Sequence, residues 1–392
     1  MPRPRALVAV LLLAVAGPLP AQQAGLRGYA LNVFLGAAAG PFSQSGLQDL
    51  QRLRLMLQPR SGAFSLDLAY EQLLTLTSTP DLQTLGSALG QPAGPGDWLP
   101  LQGTLASDAH VAWRHRVDRF AVTARHPLAE VTVGRQPISW ATTLFLTPAD
   151  PFAPFDPADP FREYRAGVDA ARVRVFPSAM SELEAVVRPA TFDSVTTLTA
   201  LLRGRVAFGR FELAGWGGML HDHGAGALAV TVTVAGAVLR SEAAVRRERD
   251  TMVVRVAVGA DRSFEIAGRT LYVLAEYQRD GFGGARAGGL PVVLGSAPYR
   301  RGELQVLGRH EIMAQATYQV HPLVRLEALS LWNAGDGSAL LAPAVGYDAL
   351  SNLGLRVGAF VGIGAGRTTS GFPGSEYGTV PVAGYLSGSL FF

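Results

Sequence analysis

Apolar and polar residues alternate one by one in segment after segment of this chain, and this pattern constrains the fold more than any other feature. In residues 52–57 leucines alternate with two arginines, and in 172–175 two valines do the same. Successive side chains of a β-strand point to opposite faces, so each segment predicts a strand with one apolar and one polar face. The segments run for about 8–12 residues and end at turn-forming residues. The chain is therefore predicted to be all-β.

Residues 1–21 show the three parts of a secretory signal peptide. Two arginines precede an apolar run at 6–16, and small residues lead up to Ala21. The apolar run is too short to cross a bilayer core of ~30 Å as a helix. We expect residues 1–21 to be removed on export and residues 22–392 to fold as a single domain.

The composition narrows the fold further. Hydrophobic residues make up 48% of the chain and charged residues 17%, no Cys is present, and no later segment has the length and apolarity of a transmembrane helix. An exported chain without disulfides must be held by its core, by closure of its sheet or by a membrane. The chain is therefore either a soluble β-rich protein or a membrane barrel.

Aromatic residues and loop lengths favour the membrane barrel. Tyr70, Trp113 and Trp332 stand near the ends of apolar faces, where aromatic side chains suit the lipid–water interface. Turns at 59–62 and 177–180 are short. Long loops are predicted at about 74–106, 141–167, 279–307 and 366–379. Short turns at one end and long loops at the other are typical of outer-membrane barrels.

The chain ends on an alternating segment, residues 382–392, whose last residue is Phe392. This segment resembles the C-terminal signal of Gram-negative outer-membrane proteins, a final amphipathic strand that ends in Phe. The resemblance implies that the barrel-assembly machinery reads Tyr385, Leu386, Leu390 and Phe392, and that outer-membrane lipid surrounds the barrel. We therefore predict a transmembrane antiparallel β-barrel of about 16–18 strands in the bacterial outer membrane.

Missing residue types exclude several kinds of chemistry. Without Lys there is no phosphate-binding loop of the Walker type and no Schiff base, and without Cys there is no thiol nucleophile or Cys-bound zinc. Loss of the two arginines of the signal peptide takes the formal charge from +3 to about +1, which gives nucleic-acid binding no support. We expect no enzyme activity, no cofactor and no metal.

One segment, residues 134–169, departs from the alternation. It begins GRQPISW, continues TPADPFAPFDPADPF and ends REYRAGVD. Its prolines exclude a ladder strand and stiffen the backbone. A stiff loop that carries this many charges is predicted to fold into the lumen and narrow it over residues 141–167.

These motifs resemble a pattern in porin-like outer-membrane proteins, a group that includes alginate-export-type barrels. The pattern joins a Gly-Arg-Gln strand end, a Trp, a Thr-Pro-x-Asp loop and an Arg-rich stretch before Gly-Val-Asp. Its usual Trp-Gly is Trp140-Ala141 here, so the first turn of the loop departs from it. The resemblance covers about 40 residues and implies a channel or an outer-membrane scaffold without identifying a solute.

Two interpretations of the charged residues stay open. In one, they pair across strands and fix the loop to the wall; in the other, they contact a solute or form rings that set selectivity. The candidates for the lumen and the constriction are Arg52, Arg54, Asp67, Glu71, Arg114, Arg116, Arg135, Trp140, Asp150, Asp156, Asp159, Arg162, Glu163, Arg165, Asp169, Arg172, Arg174, Glu182 and Glu184.

The predicted function is passive passage of small hydrophilic solutes through a lumen lined by Arg, Asp and Glu. The alternative is a non-conducting scaffold for surface polysaccharide or assembly, whose lumen would be plugged. A barrel hydrolase needs a Ser/His or Asp/His group, and the scattered histidines form no such motif. The triplet His221-Asp222-His223 is interpreted as a solvated turn and not as a metal site.

Overall fold

A closed antiparallel sheet contains most of the described residues. The computed structural model describes residues 25–80, 96–152, 159–161, 163–248 and 251–392, so the signal peptide expected at residues 1–21 lies outside the described residues. The strands are β1 (Leu26–Ala37), β2 (Gly46–Leu57), β3 (Arg60–Ser61), β4 (Phe64–Thr77), β5 (Gln102–Ser107), β6 (Val111–His126), β7 (Ala129–Gln136), β8 (Val168–Ser178), β9 (Ser181–Phe192), β10 (Val195–Phe208), β11 (Phe211–Leu220), β12 (His223–Val234), β13 (Ala237–Glu248), β14 (Thr251–Ile266), β15 (Arg269–Asp280), β16 (His310–His321), β17 (Val324–Asn333), β18 (Ser338–Leu350), β19 (Leu353–Ile363) and β20 (Ala383–Phe391).

Eighteen of these twenty strands span the barrel, and β1 pairs with β20 to close it. The two-residue β3 only extends the hairpin between β2 and β4. The short β5 pairs with residues 112–116 of β6, whereas β7 pairs with residues 120–126, so β5 occupies the place that β7 does not reach. The prediction of an antiparallel barrel of about 16–18 strands is confirmed.

Connections of very different length lie at the two ends of the barrel. The end that carries both described chain termini has tight turns such as 127–128 and 235–236. The other end carries the long connections 38–45, 137–167, 281–309 and 364–382. The predicted contrast between short turns and long loops is thereby confirmed, and the two ends are called the turn end and the loop end below.

Short helices occur only within the long loops of the described chain. The α-helices α1 (Leu290–Leu294) and α2 (Ala297–Arg300) lie between β15 and β16, and 3-10 turns occupy Ala287–Gly289 and Tyr377–Thr379. In the part of the chain that was searched, no helix has the length and apolarity needed to span a membrane.

The alternation predicted from the sequence separates the two faces of the wall. Large apolar side chains such as Leu202 and Leu228 stand on the outer face, 61% and 75% exposed. Charged side chains such as Arg54 and Glu184 are buried inside, where they are 2% and 1% exposed. The barrel is thus apolar outside and polar inside, the reverse of a soluble domain.

Closure of the barrel depends on close contact between its first and last strands. Gly28 and Phe392 exchange backbone hydrogen bonds of 2.8 and 3.0 Å. A Cβ atom on Gly28 would lie 2.4 Å from the Arg54 carbonyl oxygen and 2.7 Å from Cζ of the Phe392 ring. Only glycine fits this position without displacing the seam.

We expect Gly28→Val to lower the melting temperature of the barrel by several degrees, because overpacking costs about 1–3 kcal/mol. Gly36→Val on the same strand is the matched control, since a Cβ there meets only a Leu47 methyl group at 3.5 Å. Unfolding would be followed by the mobility shift on unboiled gels as temperature rises. Equal melting temperatures for the two variants would contradict the role assigned to the seam.

Candidate functional site

Residues 137–167, which join β7 to β8, fold back into the barrel and are called the inner loop below. Positions 137–152, 159–161 and 163–167 of it are described. Hydrogen bonds connect them to β11, β13, β15 and β19, strands far around the wall from β7. The inner loop therefore crosses the barrel interior.

A buried glutamate on β13 holds the first part of the inner loop. Glu242, 1% exposed, accepts hydrogen bonds from the backbone N–H groups of Thr142, Thr143 and Ala149 at 2.8, 3.2 and 3.0 Å. Hydrogen bonds to an ionised acceptor are stronger than those between neutral groups. One carboxylate thus fixes both sides of a turn in the loop.

A second glutamate, two strands away on β15, binds the loop residues that lie between Thr143 and Ala149. Glu276 accepts the backbone N–H groups of Leu144, Phe145 and Leu146 at 2.6, 3.0 and 2.7 Å. Together the two glutamates accept six backbone N–H groups that no helix or sheet satisfies, which removes the main cost of burying irregular backbone.

Cations hold the later part of the inner loop against other strands. Arg52 on β2 donates to the Phe161 carbonyl oxygen at 2.9 Å, and Arg356 on β19 donates to that of Pro160 at 3.2 Å. The Asp159 carboxylate accepts from the Phe161 N–H at 2.9 Å. The loop is therefore attached to both halves of the wall.

Within the loop, Asp150 links the two chain segments. Its carboxylate accepts from the Ser139 hydroxyl at 2.8 Å and pairs with Arg165 at 3.0 Å. Trp140 packs edge-on against Phe152, with ring centroids 4.9 Å apart. These contacts give the predicted candidates Trp140, Asp150 and Arg165 a structural partner inside the loop.

A buried charge network lines the wall beside the loop on β2, β4 and β6. Arg54 pairs with Glu71 at 2.9 Å and with Asp118 at 2.6 Å. Asp118 also binds Arg116 and Arg119, both at 2.5 Å, and accepts the N–H of Gly167 at 3.0 Å. Asp118 thus joins three guanidinium groups to the end of the inner loop.

Asp118 and Arg119 were not among the predicted candidates. Asp118 continues the period-two phase of Arg114 and Arg116, a signal that the sequence contains, whereas a β-bulge brings Arg119 inside. Ala69 pairs with Arg119 and Tyr70 with Val117, which leaves Asp118 without a partner in the ladder. A bulge shifts the side-chain alternation by one residue, and period-two analysis cannot detect that shift. Glu242 and Glu276 were missed as well, although each occupies an inward position of an alternating segment, a signal that the sequence does contain.

Arg135 and Asp169 lie in the wall itself. Arg135, fully buried, binds Asp169 with its Nε and Nη2 at 2.8 Å and donates to the Leu99 carbonyl oxygen at 2.7 Å. Asp169 accepts the N–H groups of Trp98 and Leu99 at 2.9 and 2.8 Å. The pair joins the loop ends of β7 and β8 to residues 97–99, which continue into β5.

The remaining candidates spread over the interior and the rims. Arg172 pairs with Glu184 at 2.5 Å, and Arg174 with Glu130. Asp67 accepts from the Gln58 side chain at 3.1 Å. Glu182 is half-buried near the turn end, while Arg114 and Glu163 are exposed. Asp156 and Arg162 lie outside the described residues.

Apolar packing surrounds the inner loop on two sides. Leu146 and Phe161 belong to a buried cluster with Leu31 of β1 and Leu331 of β17. Ile138, Trp140 and Phe152 belong to a second cluster on the inner face of β8–β13. The interior therefore combines buried charge pairs with two apolar clusters, and the loop lies between them.

The connection 364–382, called the final loop below, is held by a buried carboxyl group. Glu376 accepts from the Leu307 N–H at 2.6 Å and from the Asn333 side chain at 2.8 Å, and its own N–H donates to Asp336 at 2.8 Å. Burial raises the pKa of Glu376 above its usual range, and the charge of Asp336 acts in the same direction.

His221 and Asp222 form a turn, as predicted, and His223 begins β12, but His221 is not solvated. His221 is 3% exposed, lies edge-on to the Phe192 ring, and its Nδ1 is 2.9 Å from the Thr197 hydroxyl. Burial lowers the pKa of His221 to about 3. Within the described residues no group of three potential ligands has the geometry of a metal site.

Solved structures show the same fold at low sequence identity. Pseudomonas aeruginosa OccK2 (OpdF) in complex with glucuronate aligns with a TM-score of 0.55 at 16% identity, over 95% of this chain and 98% of that one. Pseudomonas aeruginosa OpdK with vanillate gives a TM-score of 0.54 at 14% identity, over 94% of this chain and 98% of that one. A BenF-like porin from Pseudomonas fluorescens Pf-5 gives a TM-score of 0.53 at 14% identity, over 94% of this chain and 98% of that one.

The chain therefore has the fold of these outer-membrane barrels. No protein-family model and no curated protein matches the sequence. The resemblance to porin-like barrels agrees with the structural neighbours, whereas its alginate-export branch receives no support from them.

We expect Glu242→Ala to loosen the inner loop, because three buried N–H groups lose their acceptor at about 1–3 kcal/mol each. The chain has no native Cys, so labelling of a cysteine placed by Leu146→Cys, at a position 0% exposed, reports opening. The labelling rate is expected to rise at least about tenfold. Glu212→Ala, which removes a carboxylate paired with Arg205 near the turn end, is the matched control. Equal rates in the two variants would refute the anchoring role.

The final loop is expected to be held more tightly at low pH. A raised pKa means that protonated Glu376 is favoured in the folded state, so its contribution is complete below about pH 4.3 and declines as pH rises through the raised value. Protease cleavage within 364–382 should therefore increase with pH in the wild type and become much less pH-dependent in Glu376→Gln. Glu265→Gln, at an exposed position near the turn end, is the control. An unchanged pH profile in Glu376→Gln would contradict this assignment.

Proposed function

We propose that this protein is an outer-membrane channel through which small hydrophilic solutes pass passively, narrowed by the inner loop. The observation that carries the proposal is the course of residues 137–167, which cross the interior and are fixed to the far wall by Glu242 and Glu276. A loop held inside a wide barrel reduces the cross-section of the lumen without closing it.

The outer surface supports residence in the outer membrane. Exposed large side chains such as Leu202, Leu228 and Val187 cover it, and Trp113 and Trp332 stand near the loop end. The signal peptide predicted at 1–21 fits export. Recognition by the barrel-assembly machinery fits the C-terminal segment, with Tyr385, Leu386, Leu390 and Phe392. Lipid and that machinery are therefore proposed as partners.

The polar part of the interior supports passage of charged or polar solutes. Towards the turn end, guanidinium and carboxylate groups of neighbouring strands pair in series, as in Arg172–Glu184, Arg205–Glu212 and Arg325–Asp348. Such groups offer solutes both donors and acceptors. Glucuronate and vanillate, named with two of the structural neighbours, are small organic acids. We propose solutes of that size and polarity, and no enzymatic activity.

A non-conducting scaffold is the second candidate, and the apolar clusters favour it. Leu146, Phe161, Leu31 and Leu331 are each 5% exposed or less around the inner loop. Packing of this kind excludes water from the part of the interior that it fills. A scaffold for surface polysaccharide or assembly would use the loop end and leave the lumen closed.

Planar-bilayer recording on refolded protein separates the two candidates. We expect discrete conductance steps from the wild type, and larger steps from a Glu242→Ala/Glu276→Ala variant in which the inner loop is released. Leu228→Ala should match the wild type, because Leu228 lies on the outer face, 75% exposed, away from the inner loop and the lumen. Absence of steps in both the wild type and the released variant, although each is folded, would overturn the channel and leave the scaffold.

A further inference from the structure

A groove crosses the outer face of the barrel from Ala237, the first residue of β13, to Val361 on β19. It has a volume of about 710 Å³ and an almost wholly apolar lining. Its floor is made of small outward-facing residues at matching heights on neighbouring strands. These are Ala260, Ala275, Ala314, Ala316, Ala328, Ser330 and Pro343.

Rows of larger side chains border the groove on both sides. Towards the loop end, Val258, Tyr277, Ile312 and Trp332 are successive partners across β14–β17. Towards the turn end, the corresponding row is Phe264, Leu271, Tyr318 and Leu326. The small residues therefore form a depression between two ridges.

The groove runs obliquely with respect to the barrel axis. It begins at Ala237 and its ladder partner Arg262, four residues from the turn end of β14, and reaches Val361, two residues from the loop end of β19. From Arg262 to Val361 it spans six strands about 4.8 Å apart, or roughly 24 Å. With strands tilted by about 45°, it rises by roughly 17 Å, close to half of a hydrocarbon core of ~30 Å.

A cation stands at the turn end of the groove. Arg262 faces outward, and its guanidinium carbon lies 4.9 Å from the centre of the Phe264 ring. Arg269, the first residue of β15, points to the same face two residues before Leu271. Among the described residues neither guanidinium has a carboxylate at salt-bridge distance. An arginine on a lipid-facing wall is costly unless its head group reaches the interface and finds an anion there.

We propose that the groove binds one anionic phospholipid of the periplasmic leaflet. Its phosphate contacts Arg262, with Arg269 close by, and an acyl chain follows the alanine floor towards the middle of the membrane. The turn end of such barrels faces the periplasm, so the cation and the head group meet at the same height. Charge complementarity and the rise of the groove, about one leaflet, both favour a lipid of this leaflet. The site rests on the membrane location proposed above and is independent of conduction.

Native mass spectrometry of the full barrel in detergent, titrated with phosphatidylglycerol or phosphatidylcholine, tests the site. We expect the wild type to keep one phosphatidylglycerol in preference to phosphatidylcholine. Arg262→Gln should weaken phosphatidylglycerol binding about fivefold and abolish the preference. Ala316→Leu, which fills the floor, should weaken binding of both lipids.

Two matched variants control for charge and bulk. Arg210→Gln removes another arginine at the turn end, one that also lies against a ring, Phe211 at 5.3 Å, but away from the groove. Ala185→Leu adds the same bulk at an exposed outward position on β9. Both should bind lipid like the wild type.

Three outcomes would overturn the site: no preference for phosphatidylglycerol, equal effects of Arg262→Gln and Arg210→Gln, or a dimer that Ala316→Leu abolishes, which would make a second copy the occupant. Lipid binding without conductance would refute the channel alone. Conductance without lipid preference would refute the site alone.

Discussion

Backbone hydrogen bonding around a closed sheet is the constraint on which the rest of this molecule depends. Every strand of the wall has a neighbour on both sides, and β1 meets β20 at the Gly28–Phe392 seam. A wall without edges can present apolar side chains outward because none of its backbone groups needs water. Once the wall is closed, the polar residues that alternate with the apolar ones face inward, and the interior becomes the polar part of the structure.

The buried charged side chains of the interior either form ion pairs or accept hydrogen bonds from backbone N–H groups. Arg54, Glu71 and Asp118 form pairs within the wall, whereas Glu242 and Glu276 bind N–H groups of the inner loop. Burying a charge is costly unless its hydrogen-bonding capacity is used. The carboxylates that bind the loop therefore stabilise one course of an otherwise irregular chain segment, and the apolar clusters on either side fill the space that remains.

The sequence was sufficient to predict the barrel, its strand number within a narrow range, and the contrast between its two ends, since each depends on local alternation and turn residues. Individual side-chain contacts were harder to predict from the sequence. The bulge at Asp118 reverses the alternation within one strand, and Arg135 and Asp169 meet residues 97–99 because β7 stops early. Glu242 and Glu276 lie about 100 and 130 residues from the amides that they bind. Pairings over such distances follow from the geometry of the closed barrel, which no local pattern contains.

The anchors of the inner loop also set an order of events. The amides of the loop have no acceptor until β13 and β15 have joined the wall beside it. Contacts of such long sequence separation form late, after the entropy of closing the chain has been lost. The wall must therefore form around a loop that is not yet fixed. The interior acquires its final shape only after β13 and β15 have joined the wall.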